Sequence, residues 1–379
     1  MGIKELEHQY IMHTYNRFDV VITKGKGCYV FDDKGKKYLD FITGIGCVPL
    51  GHTNPAVSKA MAKQAASLMQ VSNLYYTKPQ VELAQKLSKI SGLQKCFFCN
   101  SGTEANEAAI KLAKKISKKK KFIAFEHSFH GRTTGSLAAT SKIKYKEPFM
   151  PLAPLVTFVK YNDISSLEQA ISKETAAVII EPIQGEAGII IPDKGYLKQV
   201  EKVCKKHKIL LIVDEVQSGN GKTGKFFAYQ LENVKPDIVT TAKGLANGFP
   251  IGVCIARKGL DFKPGEHAST FGGNSLACAA AIATIDEIMK LMQNAQKMGN
   301  YLMQQLKNIK KPIIKKVKGK GLMIGIELKK DVAKNITLKC LKKGLLVNNV
   351  ADDILRCLPP LTITKKEADT AVKILKEVL

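Results

Sequence analysis

Between about residues 51 and 252 the chain alternates helical patterns with short apolar runs, and this alternation limits the folds open to it. The runs are 96–99 (CFFC), 122–125 (FIAF), 177–180 (AVII), 210–213 (LLIV) and 238–240 (IVT). Runs this short and this rich in β-branched residues suit strands buried on both faces. Strands of that kind separated by helices predict an α/β domain with a mostly parallel sheet. Ahead of it, residues 1–45 read as an extended segment with a hairpin: strand 27–32, a DKGKK turn, then strand 38–42. Beyond Asn274 a helical pattern covers about 276–308, followed by strands near 321–328 and 345–348 and a last helix from Lys365. The chain therefore divides into an N-terminal segment (1–50), a large domain (51–275) and a smaller α+β C-terminal domain (276–379). No repeat or low-complexity linker interrupts it.

The LLIV strand ends in Asp214, so its C-terminal edge carries a carboxylate to the sheet rim, where α/β folds place ligands. Lys243, in KPDIVTTAKGLANGFPIG, follows 29 positions later, after room for an excursion and one more strand. A carboxylate and a lysine meeting at such a rim suit pyridoxal phosphate, the amine joining the cofactor aldehyde and the acid partnering the pyridinium nitrogen. Alone, a Lys-Gly pair after an apolar run is most often a surface lysine. The flanking motifs shift that balance.

In FFCNSGTEANEAA a strand meets a helix start, with Ser101 and Glu104 spaced as a capping box. Gly102 allows close backbone approach, and free N–H groups of a first helical turn attract anions, so this is either a capped helix or a phosphate grip. EHSFHGRTT offers Phe129 to stack on a heteroaromatic ring and Arg132 to hold a carboxylate; the bland reading is a loop with a core Phe and an exposed Arg. His127 and His130 lack further ligands at zinc spacing, and Cys96-x-x-Cys99 stands alone inside a strand. The run 219–224 (GNGKTG) satisfies G-x-G-x-x-G literally, but no clear amphipathic helix opens after it, as a dinucleotide site requires. EPIQGEAG places Glu181 and Glu186 at a strand end, LRCLPPL mounts Arg356 before a rigid bend, and STFGGN could turn the hydroxyls of Ser269 and Thr270 to a phosphate.

Charge does not decide function. The formal net charge of +26 permits nucleic-acid binding, yet lysines are spread through every segment, which describes a solvated surface. The dense run 114–121 (KKISKKKK) closes a helix, where cations complement the dipole. The N-terminus lacks a signal-peptide core, Leu6 breaks the myristoylation pattern, and no apolar run spans a bilayer. Nine scattered cysteines suggest free thiols in a reducing compartment. The expectation is a soluble cytoplasmic protein with no membrane and no nucleic-acid partner.

Taken together, NSGTEANEAAIKLA, FHGRT, EPIQGE, DEVQ, GKTG, AKGL, GFPIG, STFGGN, GKGLMIG and LRCLPP resemble, in order and over nearly the whole chain, the class III (fold type I) pyridoxal-phosphate aminotransferases. The resemblance implies that Lys243 holds the cofactor and moves a proton, while Asp214 keeps the ring nitrogen protonated. It implies a cofactor site completed by Gly102, Thr103, Phe129, Glu215, Val216 and Gln217, with Thr270 and neighbouring Ser269 arriving from the second subunit of a homodimer. Arg132 would bind the α-carboxylate of an N-acylated donor, Arg356 that of glutamate, and Glu186 would gate Arg356. The branch it most resembles moves the δ-amino group of N2-acetyl-L-ornithine to 2-oxoglutarate in arginine biosynthesis. Succinylated donors or free ornithine are the alternatives, and Ile45 stands where ornithine-using members tend to carry Tyr. Lys222, Asn220, Asn54 and Val48-Pro49 depart from the family pattern; the first two are expected to lie away from the chemistry, the others near the substrate entrance.

Overall fold

A strand buried along its whole length must be covered on both faces, and four consecutive sheet neighbours here meet that condition. The computed structural model describes residues 2–379. Near the N-terminus β1 (Ile22–Lys26), β2 (Tyr29–Asp32) and β3 (Lys37–Asp40) form an antiparallel meander. The central sheet comprises β4 (Lys95–Cys99), β5 (Lys121–Phe125), β6 (Leu155–Val159), β7 (Thr175–Ile180), β8 (Leu210–Asp214), β9 (Ile238–Thr241) and β10 (Gly252–Ala256). Their spatial order is β4-β10-β9-β8-β7-β5-β6. The pairs among β5 to β9 are parallel, and only β10 runs against its two neighbours. All residues of β7, β8, β9 and β10 are buried.

The helix Gly102–Ser117 lies on this sheet through Ala105, Ala108, Ala109, Leu112 and Ala113, small side chains that bring its axis close to the strands. It ends at Lys118 in the left-handed conformation, with Lys114 and Lys115 in the last turn as the dipole favours. A 33-residue helix, Ser275–Lys307, then leads to the C-terminal elements. There β11 (Ile314–Lys320), β12 (Met323–Leu328), β13 (Leu345–Leu346), β14 (Asn348–Ala351) and β15 (Ile354–Cys357) complete the strands. Four of them form a sheet ordered β11-β12-β15-β14, whereas β13 adds to the N-terminal meander, parallel to β3. The last helix is Lys365–Val378. No helix among the described residues is long and apolar enough to cross a membrane.

Several elements depart from the sequence expectations. The N-terminal stretch is not wholly extended: Ile3–Tyr10 is helical although none of its residues is buried, and β1 adds a third strand. Strands β6 and β11 lie at sheet edges with alternating or largely exposed residues, so neither shows a continuous apolar run. The unforeseen helix Ala333–Lys342 buries Ala333, Ile336, Thr337 and Cys340, a helical stripe disguised by weakly apolar side chains. The GNGKTG segment opens no helix; Asn220, Gly221 and Gly224 all take positive φ in a turn.

Candidate active site

Asp214 is the last residue of β8 and is 3% exposed. Its Oδ2 accepts hydrogen bonds from Asn106 Nδ2 at 2.8 Å and pairs with His130 Nδ1 at 2.7 Å. Its Oδ1 accepts only the Val216 amide, at 3.0 Å, so a lone pair remains for an incoming N–H donor. Asn106 is itself fixed by Thr240 Oγ1 and by the His130 carbonyl, each at 2.7 Å. Neither Asn106 nor His130 is evident as a site residue from its sequence. Asn106 faces the sheet because it shares a helical face with Ala105 and Ala109, and that periodicity is the signal that could have found it. Behind this cluster burial raises Glu181 to about 7, with His130 opposing the rise and Asp214 adding to it.

Lys243 follows β9 at a positive φ of 43° and opens a short 3-10 turn, Lys243–Ala246. A Cβ on Gly244 would lie 3.1 Å from the Gly46 carbonyl oxygen and from Pro49 Cγ, so the chain beside the lysine is closely packed. Both departures in the GNGKTG turn lie closer to Lys243 than expected. Asn220 donates to the carbonyl of Ala242, the residue before the lysine, at 3.0 Å. Lys222 is 1% exposed, its Nζ has no hydrogen-bond partner, and burial lowers it to about 8. Asn54, in contrast, spends its side chain on capping the helix Pro55–Ala65.

The Ser101 hydroxyl accepts from Glu104 N at 3.3 Å, so the helix start is capped as the sequence predicts. Glu104 reaches back one residue further than a standard capping box, to Asn100 N at 2.5 Å. A Cβ on Gly102 would lie 2.6 Å from Val216 Cγ1, so only glycine lets this anion-attracting turn approach the Asp214 loop. Thr103 belongs to a cluster of hydroxyls. Its Oγ1 is engaged by Thr133 Oγ1 at 2.7 Å and Ser136 Oγ at 2.5 Å, which leaves backbone N–H groups for a phosphate. The Glu215 carboxylate accepts from Ser218 Oγ at 2.7 Å and Tyr229 N at 2.8 Å, and burial raises it to about 7. Phe129 is half-buried, its amide held by Glu181 Oε1 at 2.9 Å.

Two arginines stand at different depths. Arg356, on β15, is fully buried; its Nη1 donates to Glu186 Oε1 at 2.5 Å, Gln217 Oε1 at 3.0 Å and the Gly185 carbonyl at 3.2 Å. Its Nε is steadied by Asn348 Oδ1 at 3.3 Å, while Nη2 is buried without a partner. Burial would raise Glu186, but the charges of Arg356 and Lys243 outweigh it and hold the carboxyl below its ordinary range. Gln217 also donates to Glu186, at 3.1 Å, so its amide is occupied by the Arg356–Glu186 pair. Arg132 is exposed and lies over the Tyr145 ring, 3.7 Å from its centroid, with Phe129 at 5.5 Å. Tyr145 was not anticipated.

Ser269 and Thr270 lie on a separate loop. Asn73 Nδ2 donates to the Ser269 carbonyl at 3.0 Å and Gln70 Nε2 to the Thr270 carbonyl at 2.7 Å. They border a cavity of about 1020 Å³ on a face that also exposes Leu74, Tyr75, Tyr76 and Phe271. A hydrogen bond of 3.4 Å from Asn100 Nδ2 to Ser269 Oγ links this loop to the start of the Gly102 helix.

A lysine and a buried aspartate at the C-terminal edge of a parallel sheet, with a glycine-opened helix start beside them, are the features of a fold type I pyridoxal-phosphate enzyme. The residues fit that cofactor: Oδ1 of Asp214 has the free lone pair a ring N–H needs, and Gly102 leaves the space a Cβ would fill. Comparison with known proteins defines the group further. The family model "Aminotransferase class-III" matches residues 10–379, and the chain belongs to this family of pyridoxal-phosphate-dependent aminotransferases. The acetylornithine aminotransferase of Methanosarcina acetivorans is 48% identical over 379 residues, covering 99% of this chain and 96% of the relative. Among solved structures, acetylornithine aminotransferase from Elizabethkingia anophelis aligns at TM-score 0.88 and 36% identity, covering 99% of this chain and 97% of the other. Ornithine aminotransferase from Toxoplasma gondii aligns at TM-score 0.96 and 31% identity, covering 99% and 93%.

Proposed function

We infer that this enzyme transfers the δ-amino group of N2-acetyl-L-ornithine to 2-oxoglutarate, giving N-acetyl-L-glutamate 5-semialdehyde and L-glutamate in arginine biosynthesis. We also infer that it works in the cytoplasm as a homodimer, with Ser269 and Thr270 completing the neighbouring subunit's site. The observation that carries the substrate assignment is the pair of unlike arginines. A buried guanidinium with an unpaired Nη2 supports capture of a carboxylate close to the reacting centre. An exposed guanidinium held flat on Tyr145 supports capture of a carboxylate further out.

When bound, pyridoxal phosphate supplies a ring that accepts electrons from the carbon bearing the amine. The chain's own residues prepare for that. Asp214, fixed by Asn106 and His130, would hold the ring nitrogen's proton through Oδ1. Val216 and Phe129 would hold the ring, and the first turn after Ser101 would hold the phosphate. Lys243 would hold the cofactor and supply the amine that moves a proton at the substrate carbon. With the terminal-amine donor in place, Arg132 grips its distant α-carboxylate and Glu186 stays on Arg356. For glutamate, Glu186 turns away and Arg356 takes the α-carboxylate. The domain division at about residues 50 and 275 belongs to the same proposal.

A donor panel against 2-oxoglutarate tests the assignment. N2-acetyl-L-ornithine should outperform free ornithine and succinylated donors by kcat/KM, and Lys243→Ala should be inactive with all of them. A preference for free ornithine would overturn the choice of donor.

A further inference from the structure

We propose that Glu7, His8 and His13 form a binding site for a divalent transition-metal ion of the zinc class, which ties the N-terminal helix to the segment that follows it. One ligand atom from each of the three residues lies within 4.8 Å of the others. His8 Nδ1 and His13 Nε2 are 2.9 Å apart, with ring centroids at 4.6 Å. Zinc–nitrogen bonds are about 2.0–2.1 Å, so two imidazoles on one tetrahedral ion place their nitrogens roughly 3.3 Å apart. A small rotation of either exposed ring supplies the difference.

The third ligand is Glu7, a half-buried residue whose Oε1 is paired with the Arg17 guanidinium, Nη1 at 2.5 Å. A carboxylate has two oxygens, so one can keep Arg17 while the other turns to the ion. Two imidazoles, a carboxylate and water make a donor set that zinc and its neighbours accept.

The position gives the ion something to do. The helix Ile3–Tyr10 buries none of its residues, and its return segment is held by the Lys4–Asp19 and Arg17–Glu7 ion pairs. Exposed ion pairs contribute little, so a metal cross-link between His8 and His13 would dominate the order of residues 3–19. None of these residues belongs to the machinery around Lys243.

The test is calorimetric titration of the holoenzyme with zinc chloride at pH 7.5, alongside His13→Ala and His8→Gln. Zinc also reaches thiols, so the quantity read is the difference between wild type and variants. The expected result is one site per chain that weakens at least about tenfold in each variant, with transamination unchanged. Zinc should also slow proteolysis within residues 3–19 in the wild type alone. Equal isotherms for wild type and variants, or no saturable binding by any of them, would overturn the proposal.

Discussion

Replacing Lys222 with methionine should stabilise the enzyme at neutral pH. The side chain is 1% exposed and its amine has no hydrogen-bond partner, so the folded state disfavours the charged form. Burial lowers this group from 10.5 to about 8, while Cys47 and Asp40 restore only part of the loss. A lysine depressed in the folded state binds fewer protons there than in the unfolded chain between those values, so stability rises as pH climbs through them. At about 1.4 kcal/mol per pH unit, the charged amine costs on the order of 3 kcal/mol below pH 8. Lys222→Met keeps the length of the side chain and removes the charge. Guanidinium denaturation at pH 7 and pH 9.5, with matched protein and saturating cofactor, should show the variant ahead by about 1–3 kcal/mol at pH 7 and by clearly less at pH 9.5. A variant less stable at pH 7, or an advantage independent of pH, would refute the reasoning.

The two arginines should separate the half-reactions. Arg356→Ala strands Glu186 and should reduce kcat/KM for glutamate about 10²–10³-fold, whereas Arg132→Ala should fall mainly on the acylated donor; equal losses in steady-state assays would contradict the division of labour. Gly102→Ala drives a Cβ to 2.6 Å from Val216 Cγ1 and should weaken cofactor affinity at least about tenfold by fluorescence titration. Adding Val216→Ala should recover part of that loss, and no recovery would place the clash elsewhere.

The central sheet is legible in the sequence because β7, β8 and β9 are each built around a short run of aliphatic residues that the fold buries completely. Strands β6 and β11 are not, since each mixes polar residues into its run and leaves several of its residues exposed. The long helix Ser275–Lys307 announces itself through sustained periodicity and the Asn274 cap. In the site, residues at strand ends and turns could be found because local chemistry marks them: Asp214 after LLIV, Gly102 after a capping serine. The partners of Asp214 could not, since Asn106 and His130 come from two distant segments and meet only through tertiary packing. Lys222 is instructive for the opposite reason. In sequence it is one more lysine of a basic chain, and only the fold shows that it is buried.

The attachment of the cofactor is tested most directly by reducing the holoenzyme with borohydride and mapping the modified peptide by mass spectrometry. Lys222 and Lys243 are both near Cys47, so the experiment distinguishes two amines within one site. The pyridoxyl group is expected on the peptide that contains Lys243 and nowhere else. Modification of Lys222 instead, or of no peptide in protein prepared with pyridoxal phosphate, would contradict the assignment of the active lysine.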